Sequence, residues 1–211
     1  MLDLLLNEES KKNLLIFKKF SALSLKMLQE KGILRHLDVG HGKDLSFPIQ
    51  IAHRFPELEI YYFDTSDWIS RILSAGKRKK KLPDNLKLTS SPEGEFSSAS
   101  YFLTIHDYQN PAEEFAKTAE LIKPKGLLIV IDYQLKNATR EEFLRVFGAD
   151  NEKKALDKEG EDCFRLHSRY CLDDCIADAR KAGFGLKLDS VSGREYFGRD
   201  KFFLYIGEKN K

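Results

Sequence analysis

Short apolar runs that alternate with stretches of helical spacing constrain this chain more than any other feature of it. Ile33, Leu34, Leu37 and Val39 make the first run, which ends in Gly-His-Gly and reads as a strand entering a tight turn. A helix follows at about Leu45 to Phe55, stopped by Pro56, and Leu58 to Phe63 supplies a second strand that terminates in Asp64. Ser66 suits the cap of a helix with Trp68, Ile69, Ile72 and Leu73 on its buried face, ending near Gly76. Asn85 to Leu88 reads as a third strand, and Tyr101, Phe102, Leu103 and Ile105 as a fourth. Pro111 sits well in the first turn of a helix running to about Ile122, and Gly126 to Ile131 is a fifth strand. Strands separated by helices favour a parallel sheet covered on both faces.

The two ends of the chain complete the pattern. Between Glu9 and Gly32, Leu14, Leu15, Phe17, Phe20, Leu23, Leu25, Met27 and Leu28 recur near helical spacing, which predicts an amphipathic opening helix with Gly32 as its stop. Arg140 to Phe147 looks helical, Asp150 to Gly160 is polar and charged, and a last helix covers about Leu172 to Ala182 before Gly183. Gly185 to Val191 and Lys201 to Ile206 then read as a hairpin. The expected fold is α/β: a doubly wound, Rossmann-like, seven-stranded sheet, mostly parallel with an antiparallel last strand, and helices on both faces. At 211 residues the chain suits one domain. Residues 1–32 are expected to form an N-terminal helical segment packed on a domain at 33–211, with a cap or insertion at about 134–170.

Composition excludes several classes. Apolar residues are 42% and charged ones 32%, which rules out collagen-like, low-complexity and wholly disordered chains. With 35 Lys and Arg against 33 Asp and Glu, net charge gives no general reason to bind nucleic acid or membrane. Met1 to Leu6 lack a leading basic region, so no secretory signal is expected. No apolar run is longer than Leu127 to Ile131, which is far below the roughly 18 residues of a membrane span, so none is expected. Cys163, Cys171 and Cys175 crowd one late stretch and cannot all pair, which points to a reducing, cytoplasmic setting.

The residues that carry chemistry are Leu37-Asp38-Val39-Gly40-His41-Gly42 at the end of the first strand and Asp64 at the end of the second. Glycines let backbone approach a ligand where a side chain would clash, and an acid at the next strand tip can accept both hydroxyls of a ribose. In an open α/β sheet, ligands sit beyond the carboxyl ends of the strands, where both features fall. Together they describe a crevice for a nucleoside cofactor. A dinucleotide is the competing ligand, but its fingerprint wants a third glycine three residues after the second, where this chain has Leu45.

Here the sequence resembles the class I S-adenosylmethionine-dependent methyltransferases, in the small-molecule branch. Asp38, Gly40 and Gly42 match the family's first motif, and Tyr61-Tyr62-Phe63-Asp64-Thr65-Ser66 its second strand with the ribose-binding acid. Asn110-Pro111 through Leu121-Ile122-Lys123-Pro124-Lys125-Gly126 and on to Tyr133 is similar to its later helix, turn and fifth strand, and the last helix and hairpin to its carboxyl end. The resemblance implies methyl transfer from S-adenosylmethionine to a small-molecule acceptor. It implies that Asp38 and the backbone around Gly40, His41 and Gly42 hold the methionine moiety, that Asp64, with Thr65 beside it, binds the ribose, and that Ser90 and Ser91 lie by the adenine. The chain departs from the family at Asp44, where a small residue is usual. It also lacks the usual acids after the third strand, at Thr89 to Pro92, and ahead of the fourth, around Ser97 to Ser100. A scaffold that keeps the fold without turnover is therefore the alternative from another class.

Methyl transfer is a direct displacement, so alignment matters most and a base is needed only where the acceptor retains its proton. His106 and Tyr108 follow the fourth strand and Tyr133 the fifth; His106 is the candidate base or substrate contact, and Tyr108 and Tyr133 are candidate substrate contacts. No metal site is expected: Cys163, His167, Cys171 and Cys175, four apart, would run about 18 Å along one helix at roughly 1.5 Å per residue. Cys171, Cys175, Ile176 and Ala179 read instead as the buried stripe of the last helix. Lys77, Arg78, Lys79, Lys80 and Lys81 could grip nucleic-acid phosphates, which would make RNA an alternative acceptor, but such a run is more often a solvated helix end that complements the helix dipole.

Overall fold

The computed structural model describes residues 19, 22–40, 45–64, 82–134, 136–141, 164–165, 168–187 and 202–210. The strands are β1 (Arg35–Gly40), β2 (Glu59–Asp64), β3 (Leu86–Thr89), β4 (Phe96–Phe102), β5 (Ile122–Tyr133), β6 (Phe184–Leu186) and β7 (Phe202–Lys209). They form one seven-stranded sheet in the order β3-β2-β1-β4-β5-β7-β6. The pairs from β3 through β5 are parallel, and β7 runs antiparallel to both β5 and β6. The expected doubly wound sheet with its antiparallel last strand is therefore the observed one. The described helices are α1 (22–30), α2 (Ser46–Arg54), α3 (Pro111–Leu121) and α4 (Leu172–Lys181).

Alternation along the central strands sorts residues between two cores. On one face Ile60, Tyr62, Phe102, Ile129, Ile131 and Leu204 pack with Leu28 of α1 and Phe47 and Ile51 of α2. On the other, Leu37, Val39, Tyr101, Leu128, Val130 and Phe203 pack with Phe115 and Ala119 of α3 and Cys175 and Ala179 of α4. Being covered on both sides is why β5 reads as an unbroken apolar run. His36, Asp38 and Gly40 of β1 share the α1/α2 face with Ser98 and Ser100 of β4, by the register that sets His36 against Ser98 and Asp38 against Ser100.

Chain reversals follow the expected chemistry. Gly32 (φ 56°) and Gly183 (φ 88°) end α1 and α4 in the left-handed conformation open to glycine. Asn110 caps α3, its side chain accepting from the Glu113 N–H at 3.4 Å, with Pro111 in the first turn. Cys171 precedes α4, and Cys175 and Ala179 are fully buried along it, as the core reading of the cysteines expects.

Two strands differ from expectation. β4 starts at Phe96, not Tyr101, so Ser97, Ser98, Ala99 and Ser100 are strand residues, while Leu103 leaves the strand with φ 50° and Ile105 enters a 3-10 turn, Ile105–Asp107. β5 begins at Ile122 and carries Lys123-Pro124-Lys125-Gly126 as an irregularity, the register with β4 shifting between Phe96 and Ser98. A Cβ at Gly126 would press on the Ser97 and Lys123 carbonyl oxygens, so a glycine is needed where the strand resumes. The hairpin strands shift by a few residues from the expected ranges. The helices expected after Ser66 and beyond Glu141, and the N-terminal part of the opening helix, lie outside the described residues.

Candidate functional site

The parallel register of β1 and β2 sets Gly40 beside Asp64 and Asp38 beside Tyr62. Two buried carboxylates, Asp38 and Asp64, are thus brought to adjacent strand ends at the carboxyl edge of the sheet. Gly40 is required for a reason internal to the fold: a Cβ there would run into the phenol ring of Tyr62, which covers the Gly40 Cα from the neighbouring strand. Asp38 in turn accepts a short hydrogen bond from the Ser100 hydroxyl. Behind Ser100 lies His36, fully buried, with Nε2 2.8 Å from Ser100 Oγ and Nδ1 2.7 Å from Ser98 Oγ. Burial pushes the His36 imidazole down to about 3, so it is neutral.

A second group forms where β4 and β5 end. His106, in the turn after β4, is 3% exposed, and its Nδ1 lies 2.6 Å from Oδ1 of the fully buried Asp132. Asp132 also accepts the backbone N–H of His106 at 3.1 Å on Oδ2 and that of Tyr133 at 2.7 Å on Oδ1. The other ring nitrogen, Nε2, is 3.2 Å from Asp107 Oδ1. Burial alone lowers the imidazole pKa, but the Asp132 charge and the hydrogen bonds to Asp107 and Asp132 outweigh it and raise it to about 9. Tyr133 stands edge-on to the His106 ring, centroids 5.0 Å apart, and rests on Phe202.

Tyr108 connects the two groups. Its hydroxyl lies 3.5 Å from the Gly40 carbonyl oxygen, and burial, with Glu114 and Asp64 nearby, drives its pKa upward. Arg169 fixes the loop that carries His106 and Tyr108: its Nη2 donates to the His106 carbonyl at 3.1 Å and to the Tyr108 carbonyl.

Of the residues singled out in the sequence, Asp38, Gly40, Asp64, His106, Tyr108 and Tyr133 all fall along the carboxyl edge of β1, β2, β4 and β5. Ser90 and Ser91 follow β3 and are exposed, in a turn where Thr89 Oγ1 donates to the Ser91 carbonyl at 2.8 Å. His41, Gly42 and Thr65 lie outside the described residues, as do Lys77 to Lys81, Cys163 and His167. Asp132, Arg169, His36 and Ser100 were not anticipated. Asp132 did carry a signal, a charge closing an otherwise apolar buried run.

No family model matches the sequence, and no curated protein is similar to it at the sequence level. Solved structures do match. The apo form of the S-adenosylmethionine-dependent methyltransferase SibL aligns at TM-score 0.55 and 15% identity, over 90% of this chain and 55% of that one. Human N-acetylserotonin methyltransferase in complex with SAM aligns at TM-score 0.59 and 14% identity, over 90% and 51%. The chain has the class I methyltransferase fold. It spans about half the length of those two proteins. The same fold carries other chemistry, since the [4+2]-cyclase SpnF aligns at TM-score 0.57 and 16% identity, over 90% of this chain and 80% of that one. Within the methyltransferase fold, Asp38 and Asp64 stand at the edge where an α/β sheet takes its ligand. Among the described residues no helix is long and apolar enough to cross a membrane.

Proposed function

We propose that the chain binds S-adenosylmethionine across the carboxyl ends of β1 and β2 and transfers its methyl group to a small-molecule acceptor near the ends of β4 and β5. The observation that supports this best is the row of buried polar groups on one edge of this fold: Asp38 and Asp64 on neighbouring strands, then the His106–Asp132 pair on the next two. The donor set fits the cofactor. Asp38 suits the ammonium of its amino-acid part, Asp64 the ribose hydroxyls, the Gly40-His41-Gly42 backbone the methionine moiety, Thr65 the ribose side, and Ser90 and Ser91 the adenine. When bound, the cofactor supplies an electrophilic methyl group on sulfur, open to direct displacement.

The remaining work of the chain is alignment and exclusion of water. Tyr108 and Tyr133 wall the acceptor side. His106 carries its proton at neutral pH, because its pKa of about 9 lies above the medium. It therefore meets the acceptor as a hydrogen-bond donor through Nε2, in place of Asp107, while Asp132 keeps Nδ1. An acceptor whose nucleophilic atom is already an anion or a free lone pair suits this arrangement better than one that must lose a proton to the imidazole.

Calorimetric titration with S-adenosylmethionine, S-adenosylhomocysteine and NADH tests the reading. Micromolar binding of the first two, at least tenfold weaker in Asp64→Ala, is expected. Binding of NADH alone, or of none of the three, overturns it. The raised pKa of His106 also favours a second reading, a binding protein that holds the cofactor without turnover, which predicts the same affinities and no methyl transfer across an acceptor screen.

A further inference from the structure

The α1/α2 face of the central sheet is apolar at Ile60, Leu86, Ile129, Ile131, Leu204 and Ile206. One polar line interrupts it: Ser98, His36, Ser100 and Asp38, all buried. Apolar side chains at these positions would pack without any hydrogen-bonding requirement, whereas each buried polar group left unmatched costs about 1–3 kcal/mol. The line runs along β1 and β4 toward the carboxyl edge of the sheet. Its end is Asp38, at the ligand edge of the sheet.

The direction of the line follows from the chemistry of its members. A carboxylate only accepts, so the Ser100 hydroxyl gives its one proton to Asp38. Ser100 Oγ must then accept from His36 Nε2–H, which fixes the imidazole as the Nε2–H tautomer. His36 Nδ1 is left as an acceptor and takes the Ser98 proton. Burial holds His36 neutral, and in that state every hydrogen in the row points toward the carboxylate. Such a row stabilises the ionised Asp38 and locks the rotation of its side chain, since Oδ1 is held from the β4 side.

We propose that Ser100 and His36 are positioning residues, with Ser98 behind them, that orient the Asp38 carboxylate toward the ammonium of the cofactor's amino-acid moiety. The proposal rests on the cofactor reading given above. It separates from a merely structural role because only the amino-acid half of the ligand is affected.

The test compares two ligands by calorimetry: S-adenosylhomocysteine, which has the ammonium, and 5′-methylthioadenosine, which has the nucleoside and sulfur without it. Ser100→Ala is expected to weaken S-adenosylhomocysteine about tenfold, the scale of one hydrogen bond to a charged group, and to leave methylthioadenosine within about twofold. His36→Leu, which keeps bulk and severs the row, is expected to act like Ser100→Ala. His36→Gln, which retains a donor for Ser100 and an acceptor for Ser98, is expected to recover most of the affinity. Equal losses for both ligands, or no loss for either, in a wild-type background that binds both, overturn the positioning role and leave the cofactor reading standing. Failure of the wild-type chain to bind either ligand overturns the cofactor reading and this proposal with it. Should Ser100→Ala lose its cooperative unfolding transition, the contrast between His36→Leu and His36→Gln decides the matter.

Discussion

Two buried histidines sit on neighbouring parts of this sheet, and their pKa values are shifted in opposite directions. His36 is flanked by two serine hydroxyls and is pushed down to about 3 by burial. His106 is just as hidden, but it lies between Asp132 and Asp107 and is raised to about 9. Burial acts on both in the same direction, against the charged form; the partners decide the outcome. Neutral donors and acceptors leave desolvation unopposed, whereas a carboxylate 2.6 Å away offsets it and more. The first histidine can transmit a hydrogen-bond direction and nothing else, and the second can offer a proton to an incoming group.

The strongest way to break this contrast is to remove Asp132. Its carboxylate takes the His106 imidazolium and the backbone N–H groups of His106 and Tyr133. Asp132→Ala leaves the His106 Nδ1–H and two buried backbone donors without their acceptor, and a loss of about 3–5 kcal/mol is expected from the broken buried pair. Urea unfolding followed by circular dichroism measures it; a loss under about 1 kcal/mol would mean that His106 is not held as a cation. Asp132→Asn should cost less, because an amide still accepts hydrogen bonds while the imidazole can turn neutral.

The pH dependence of stability sharpens the same comparison, and its sign differs for the two residues. His106 has a folded pKa above its ordinary 6.5, so its contribution is complete below about pH 6.5 and is lost as pH rises through about 9. His36 has a folded pKa below 6.5, so its contribution is complete above that value and is lost as pH falls toward about 3. The groups facing His106 are Asp132 and Asp107, with Arg169 on its carbonyl; those facing His36 are Ser98 and Ser100, with Asp38 beyond. His106→Gln is expected to flatten the alkaline limb of the stability profile and spare the acid limb, and His36→Gln the reverse. Urea midpoints at pH 5, 7 and 9 would show it, and a variant that flattens the wrong limb would refute the assignment of charge.

How legible each histidine was in the sequence follows from where its partners lie. The strand–helix alternation could be anticipated because β2 and the later part of β5 are largely apolar and β1 and β2 end at Gly40 and Asp64. The start of β4 could not, since Ser97, Ser98 and Ser100 lack the apolar and β-branched character of a strand. Ser98 and Ser100 are hydrogen-bonded there by His36, 62 and 64 residues earlier. Asp38, Gly40 and Asp64 were readable because a strand-tip acid and a glycine turn are local signals. Asp132 and Arg169 were not, since their value to His106 comes from partners 26 and 63 residues away that only the closed sheet brings together. The reason for Gly40 also differs from the sequence expectation: the glycine makes room for the Tyr62 ring of the neighbouring strand, a contact that exists only once β1 and β2 lie side by side.

The smallest effect lies at the far end of the His36 row. Ser98→Ala removes the donor to Nδ1 and leaves one buried acceptor unmatched, for an expected loss of about 1 kcal/mol. The proton on Nε2 should stay where it is, because Ser100 still needs it to satisfy its own oxygen. Nitrogen-15 NMR of the imidazoles can read this directly: His36 should keep one protonated and one bare nitrogen in both the wild type and Ser98→Ala at pH 7, while His106 should show both nitrogens protonated. If the His36 proton moved to Nδ1 in either protein, the row would not run one way toward Asp38, and the difference between the two histidines would lie in charge alone, with no directional role for the neutral one.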